Sequence, residues 1–311
     1  MNLKIGTRGS RLALMQSQWV KGEIEARHPH VRVELVRIKT TGDRVVDAPL
    51  SKIGGKGLFV KEIEEALLEN RVDLAVHSMK DVPAELPDGL MLSTFPQREN
   101  PADALISAKG ETLDQLFPGA RVGTSSLRRG AQLLHLRPDL ELVPLRGNVD
   151  TRLSKLESGD LDAVILASAG LSRLGLSGRI THLLSFDQVL PAVGQGALGI
   201  EVRQNDVRTL DLLHFLDHKP TRTCVIAERA FLKELEGGCQ VPIAGLALLE
   251  GGRLFVQGMV AELDGTTILR DQIFGTADQA GEIGTALAGR LLAAGADRIL
   301  ERIYGKEFQS R

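Results

Sequence analysis

Leu3-Lys4-Ile5-Gly6-Thr7-Arg8-Gly9-Ser10 reads as a short apolar strand that passes through a Gly-Thr turn into a helical pattern over residues 10–25. The same construction returns as Arg121-Val122-Gly123-Thr124-Ser125-Ser126, and Val72-Asp73-Leu74-Ala75-Val76 is echoed by Leu161-Asp162-Ala163-Val164-Ile165-Leu166. The spacing between the paired echoes differs, so they mark two lobes of similar build rather than a strict repeat. In each, a strand's carboxyl end feeds a helix start, where free backbone N–H groups and the helix dipole attract anions. Two such turns facing one another would form a cleft.

Strand and helix patterns alternate through the first half: a half-buried strand at 31–35, an amphipathic helix at 58–70, a strand at 72–76. This is the signature of α/β lobes with mostly parallel sheets covered by helices on both faces. On the helix at 10–25, Leu12, Met15, Trp19 and Ile24 fall near one face. The last third changes character. Residues 245–274 read as a meander with hairpins at Gly251-Gly252 and Asp264-Gly265, and 278–303 as an Ala/Leu-rich helix, together a small α+β domain. Before it, 225–235 reads as a helix with Ile226, Ala230 and Phe231 on one face, stopped by Gly237.

The 311 residues are 43% hydrophobic and 25% charged, enough for two or three domains. The N-terminus enters a strand-like run without a secretory apolar stretch, and no uncharged apolar run could span a bilayer, so a cytoplasmic protein with no membrane partner is expected. A net charge of −2 and an aromatic content of 4% argue against nucleic acid. Two cysteines, Cys224 and Cys239, make no disulfide framework, and no Cys/His spacing suggests a metal.

The useful charge signal is local. Arg8 and Arg11 sit at the first turn, Lys52 and Lys56 around Gly54-Gly55, Arg128 and Arg129 at the second turn, Arg146 in Leu145-Arg146-Gly147-Asn148, with Arg152 and Arg173 beyond. Any one of these reads as a solvated surface charge; together they recur where α/β sheets bind ligands, and guanidinium forks suit carboxylates. Lys52-Ile53-Gly54-Gly55-Lys56-Gly57-Leu58 lacks nucleotide P-loop spacing and reads as a glycine loop over the cleft or a plain turn. Lys80 and Asp81 end the strand at 72–76, where Asp81 could serve as acid, base or stabiliser of a cation, or simply pair with Lys80. His77 is read as structural. In Glu236-Gly237-Gly238-Cys239-Gln240, a thiol sits on a glycine bend, either displayed or packed as a small hydrophobe.

These residues resemble a family along the whole chain. Thr7-Arg8-Gly9-Ser10, Gly54-Gly55-Lys56-Gly57-Leu58-Phe59, Ala75-Val76-His77-Ser78-Met79-Lys80-Asp81, Val122-Gly123-Thr124-Ser125-Ser126-Leu127-Arg128-Arg129, Leu145-Arg146-Gly147-Asn148, Ala192-Val193-Gly194-Gln195-Gly196 and Glu236-Gly237-Gly238-Cys239 are similar to the motifs of porphobilinogen deaminases, also called hydroxymethylbilane synthases. The resemblance implies an enzyme of tetrapyrrole synthesis that condenses porphobilinogen stepwise on a dipyrromethane cofactor, losing ammonia, and releases linear hydroxymethylbilane. It implies a thioether from Cys239 to that cofactor, and Asp81 as the catalytic carboxylate. Cofactor binding would fall to Lys80, Asp81, Thr124, Ser126, Arg128, Arg129, Arg146, Gly147 and Arg152. Substrate binding would fall to Arg8, Ser10, Arg146, Arg152, Arg173 and Gln195, with Lys52, Lys56 and Phe59 on a cleft loop. Arg11 and Cys224 receive no role.

The implied architecture is two doubly wound lobes of the type II periplasmic-binding-protein kind, 1–96 with 197–214 and 102–190, then an α+β domain at 219–311, in a monomer. The competing reading from the turn cations alone is a non-catalytic two-lobed binding protein for a small carboxylate or anion. Asp81 and Cys239 separate the two readings, because binding alone needs neither.

Overall fold

The structure, a computed structural model, describes residues 1–44, 57–237 and 241–305. The first lobe begins with β1 (Asn2–Thr7), α1 (Arg11–Arg27) and β2 (Arg32–Arg37), and continues through a short α2 (Thr41–Arg44), α3 (Lys61–Leu68), β3 (Leu74–Ser78) and β4 (Leu90–Thr94). The chain then crosses to the second lobe: β5 (Asp103–Ser107), β6 (Arg121–Gly123), α4 (Leu127–Leu136), β7 (Glu141–Val143), α5 (Val149–Glu157), β8 (Ala163–Ala167), α6 (Ser168–Arg173) and β9 (His182–Leu183). It returns through β10 (Leu198–Arg203) and α7 (Val207–Leu213).

The sheet orders β2-β1-β3-β10-β4 and β7-β6-β8-β5-β9 match position for position. The similar build read from the two turns is therefore the build of whole lobes. In each sheet the first three strands are parallel, and the fourth is the first strand after a crossing. That strand enters antiparallel: β10 pairs this way with β3 and β4, and β5 with β8 and β9. The sheets are mostly parallel, as read, with one reversed strand each: each lobe takes its fourth strand from a crossing that arrives from the other lobe, and that strand runs opposite to its neighbours.

The buried face of α1 differs from the apolar face read in the sequence. On α1 the buried residues are Gln16, Ser17, Val20 and Ile24, while Met15 and Trp19 are exposed. The Gln16 amide pairs with Ser78 Oγ at 2.9 Å, which lets a polar side chain face inward.

The third unit holds α8 (Lys219–Glu234), a meander of β11 (Ile243–Glu250), β12 (Arg253–Ala261) and β13 (Ile268–Thr276), then α9 (Ala280–Leu291) and α10 (Asp297–Tyr304). The meander and its hairpins stand as read. The helix expected over 278–303 is broken, because Gly295 takes φ +105, a left-handed conformation that interrupts the helical ladder between α9 and α10. On α8 the core face is Cys224, Ala227 and Phe231, and Ile226 points outward.

One ion pair fastens this unit to both crossings. Glu228 on α8, fully buried, receives Arg98 through Nη1 at 2.5 Å and Nη2 at 3.2 Å, and also accepts the backbone N–H groups of Gly194 at 2.6 Å and Ala247 at 2.8 Å. Arg98 Nε donates to Gln195 O at 2.8 Å. The Gly194-Gln195-Gly196 stretch is glycine-bound for a steric reason: both glycines have positive φ, and a Cβ on Gly196 would lie 2.4 Å from Glu99 O.

Candidate active site

Each helix start at the cleft is capped by its own turn. Ser10 Oγ accepts Ala13 N–H at 3.3 Å, Ser126 Oγ accepts Arg129 N–H at 3.4 Å, and Asn148 Oδ1 accepts Thr151 N–H at 2.9 Å. Thr124, buried, accepts Ser126 N–H at 3.2 Å. The serines singled out for ligand binding are thus also the local reason that these helices begin where they do.

Arg8 and Asp81 line one cavity together with Ser10 and Phe59, so these sequence candidates do converge. A neighbouring cavity bridges the lobes, bordered by Ser78 and Lys80 from the first, Arg173 from the second, and Gly196 from the return crossing. Lys80 and Asp81 occupy a single 3-10 turn directly after β3. Arg8 pairs with Asp43 at 2.5 Å and lies 4.2 Å over the Phe59 ring.

The second lobe's cations are held differently. Arg128 Nη1 donates to Asp103 Oδ2 at 2.7 Å, and Arg129 donates to Asp103 Oδ1 through Nη2 at 2.6 Å and Nε at 3.1 Å. Gln195 Nε2 adds a bond to the same oxygen at 2.9 Å and another to Pro101 O at 2.6 Å. All four side chains are buried. Burial alone would raise the Asp103 pKa, but Arg128 and Arg129 outweigh it and hold the carboxyl far below its usual range. Gln195, read as a cleft residue, is placed in this inner network.

The remaining cations are crowded. Burial pushes Lys80 down to about 8, with Asp81 opposing the shift and Arg129 adding to it. Burial likewise brings Arg152 down to about 10, with Arg129 and Arg146 repelling its charge and Asp81 attracting it. Arg152 Nε donates to Gly147 O at 3.0 Å, which ties it to the Arg146-Gly147 turn. Arg173 donates to Gly196 O at 2.7 Å, and burial lowers its pKa against the pull of Glu99. Lys80 and Arg152 are held down first by burial and then by neighbouring arginines, so carboxylates placed among them would meet an unbalanced positive charge. The donors present therefore fit a cofactor and substrate rich in carboxylates. Among the described residues, no group of His, Cys, Asp and Glu is arranged to hold a metal ion.

Lys52, Lys56 and Cys239 lie outside the described residues. The chain on either side of residues 238–240 is anchored: Leu235 and Val241 are buried, and Tyr304 Oη donates to Glu236 O at 2.9 Å. Sequence reading missed Asp103 and Asp43. For Asp103 a signal existed, since a lone carboxylate heads the apolar run Ala104-Leu105-Ile106 and needs a partner if that run is buried.

Comparison with known proteins agrees along the chain. The family described as porphobilinogen deaminase, dipyromethane cofactor binding domain, matches residues 3–211, and porphobilinogen deaminase, C-terminal domain, matches residues 222–293. The chain is 56% identical to porphobilinogen deaminase of Trichlorobacter lovleyi, covering 98% of this chain and 97% of that protein. It is 54% identical to that of Pelobacter propionicus, covering 98% of each. Among solved structures, a probable amino-acid transporter binding protein from Bacillus subtilis aligns with TM-score 0.42 and 12% identity over 70% of this chain and 90% of its own.

Proposed function

The chain belongs to the porphobilinogen deaminase family, and from that premise we propose which of its residues carry the reaction. It is a transferase of tetrapyrrole biosynthesis, a hydroxymethylbilane synthase that acts on porphobilinogen with a dipyrromethane cofactor. The reading of a non-catalytic carboxylate-binding protein is not favoured.

Asp81 is the catalytic carboxylate. The observation that carries this is its place: it shares a cavity with Arg8 and Ser10, and its charge acts on both Lys80 and Arg152. A carboxylate among cations that bind the substrate's acid groups supplies a negative charge able to stabilise the pyrrole as it turns cationic on losing ammonia. It can also take up the proton released when the new carbon–carbon bond forms. Arg8, Ser10, Arg173 and Gln195 are assigned to the substrate side. Lys80, Thr124, Ser126, Arg128, Arg129, Arg146, Gly147 and Arg152 are assigned to the cofactor side, with Arg146 and Arg152 serving both. When bound, the cofactor supplies the pyrrole carbon to which the first substrate is joined. Cys239 is its anchor, and Lys52, Lys56 and Phe59 belong to a loop over the cleft.

Residues 1–96 with 197–214, 102–190 and 219–311 are assigned as the three domains, a division supported by the separate sheets. A cytoplasmic monomer is the matching cellular reading; no helix among the described residues is long and apolar enough to cross a membrane. Asp81→Asn tests the catalytic assignment. The variant should carry the cofactor mass while turnover falls by about 10²–10⁴. Near-normal turnover would remove Asp81 from the mechanism.

A further inference from the structure

Beneath the Asp81 turn, three titratable side chains without a part in the reaction converge from three elements: Glu64 on α3, His77 on β3 and Glu201 on β10. Their exposures are only 7%, 5% and 0%. His77 Nε2 lies 2.8 Å from Glu201 Oε2. The other oxygen of Glu201, Oε1, and Oε1 of Glu64 are buried without a hydrogen-bond partner among the described residues. Two ionised carboxylates with bare oxygens buried in one cluster are costly, and a proton kept on Glu64 removes the repulsion between them.

The surrounding charges agree. Burial, then the charge of Glu201, raises Glu64 to about 7; His77 pulls the other way and Glu65 adds to the rise. From α8, Arg229 is the further cation acting on Glu201, and its guanidinium donates to Pro83 O and Ala84 O, each at 2.9 Å, just past Asp81. The cluster also reaches the cleft, because His77 borders the cavity that holds Asp81, Phe59 and Val60.

We propose that Glu64 retains a proton in the folded protein, within a buried cluster with Glu201 and His77 that reaches the cleft through His77, and that Glu64 is thereby a positioning residue. While the proton is present, α3 stays seated on the sheet and the Phe59-Val60 edge stays in place across from Asp81. When it is lost, two buried carboxylates repel and that edge loosens. The folded pKa of Glu64 lies above its ordinary value, so its stabilising contribution is complete at acid pH and is lost as pH rises through about 7. The alkaline side of the kcat profile should therefore fall in the wild type and be flatter in Glu64→Gln, which cannot ionise.

The effect on turnover rests on the deaminase reading of the cleft; the proton itself does not. Infrared difference spectra of the holoenzyme, taken between about pH 6 and about pH 8.5, should show one buried protonated carboxyl disappearing in the wild type and absent from Glu64→Gln. The ratio of kcat at the upper pH to that at the lower should be at least about threefold larger in the variant. Lys80 titrates in both proteins and cancels in that ratio. If no protonated carboxyl is seen in the wild type, or if Glu64→Gln lowers kcat equally at every pH, the proposal is overturned. Should Glu64→Gln fail to fold, the wild-type spectra alone decide whether a buried carboxyl keeps its proton. A carboxyl signal in a protein that does not turn over porphobilinogen would instead count against the reading of the cleft.

Discussion

At the first strand-to-helix turn, Arg8 meets Asp43 in a pair whose side chains are 23% and 27% exposed, with the Phe59 ring beneath the guanidinium. At the second, Arg128 and Arg129 close on Asp103 with exposures of 6%, 7% and 0%. The backbones follow one plan, a strand, a Gly-Thr turn and a serine-capped helix, but the cations are held on opposite terms. A partly exposed pair can exchange its carboxylate for a ligand's at small cost, because water remains to both partners and a stacked ring to the arginine. A buried trio cannot, since removing its carboxylate leaves two unpaired charges in the interior. The second lobe's cations are therefore fixed by folding, whereas Arg8 in the first lobe can change partner at lower cost.

The largest effect should come from cutting the same bond on both sides. Asp103→Ala should cost about 3–5 kcal/mol, seen as an early unfolding transition in calorimetry, whereas Asp43→Ala should cost about 1 kcal/mol or less. Equal losses would erase the distinction between the turns.

A second test moves to Lys80, whose pKa near 8 makes its charge conditional. If that charge grips the cofactor's carboxylates, the rate at which porphobilinogen loads the cofactor onto the apoprotein should fall as pH climbs through about 8 and stay flat in Lys80→Arg. Parallel loading profiles would remove Lys80 from cofactor binding. The smallest effect concerns what the turns share. Ser10→Ala and Ser126→Ala should each lower stability by about 1 kcal/mol, and by similar amounts, because each deletes a helix cap. A large inequality, measured by thermal melts, would mean that one serine does more than cap.

What was legible in the sequence follows the range of the interactions. The Gly6–Ser10 and Gly123–Ser126 turns could be read because strand, turn and cap are neighbours in the chain, and the meander because its hairpins are local. Asp103 could not be assigned, since its partners stand 25 and 26 residues away on α4 and 92 residues away at Gln195. The inward face of α1 was misjudged for a related reason. Hydrophobicity favours Met15 and Trp19, but the Gln16–Ser78 bond across 62 residues favours the polar face, and no local pattern announces it. The antiparallel fourth strands likewise depend on where each crossing lands.

The cations at both turns serve a ligand only if carboxylates of a covalently held cofactor lie between them, and the anchor assigned is Cys239. Intact mass of the denatured wild type beside Cys239→Ser, each after incubation with porphobilinogen, tests this most directly. The account predicts an added mass of two condensed porphobilinogen units on the wild type and none on the variant. The same added mass on both, or none on either, would contradict it.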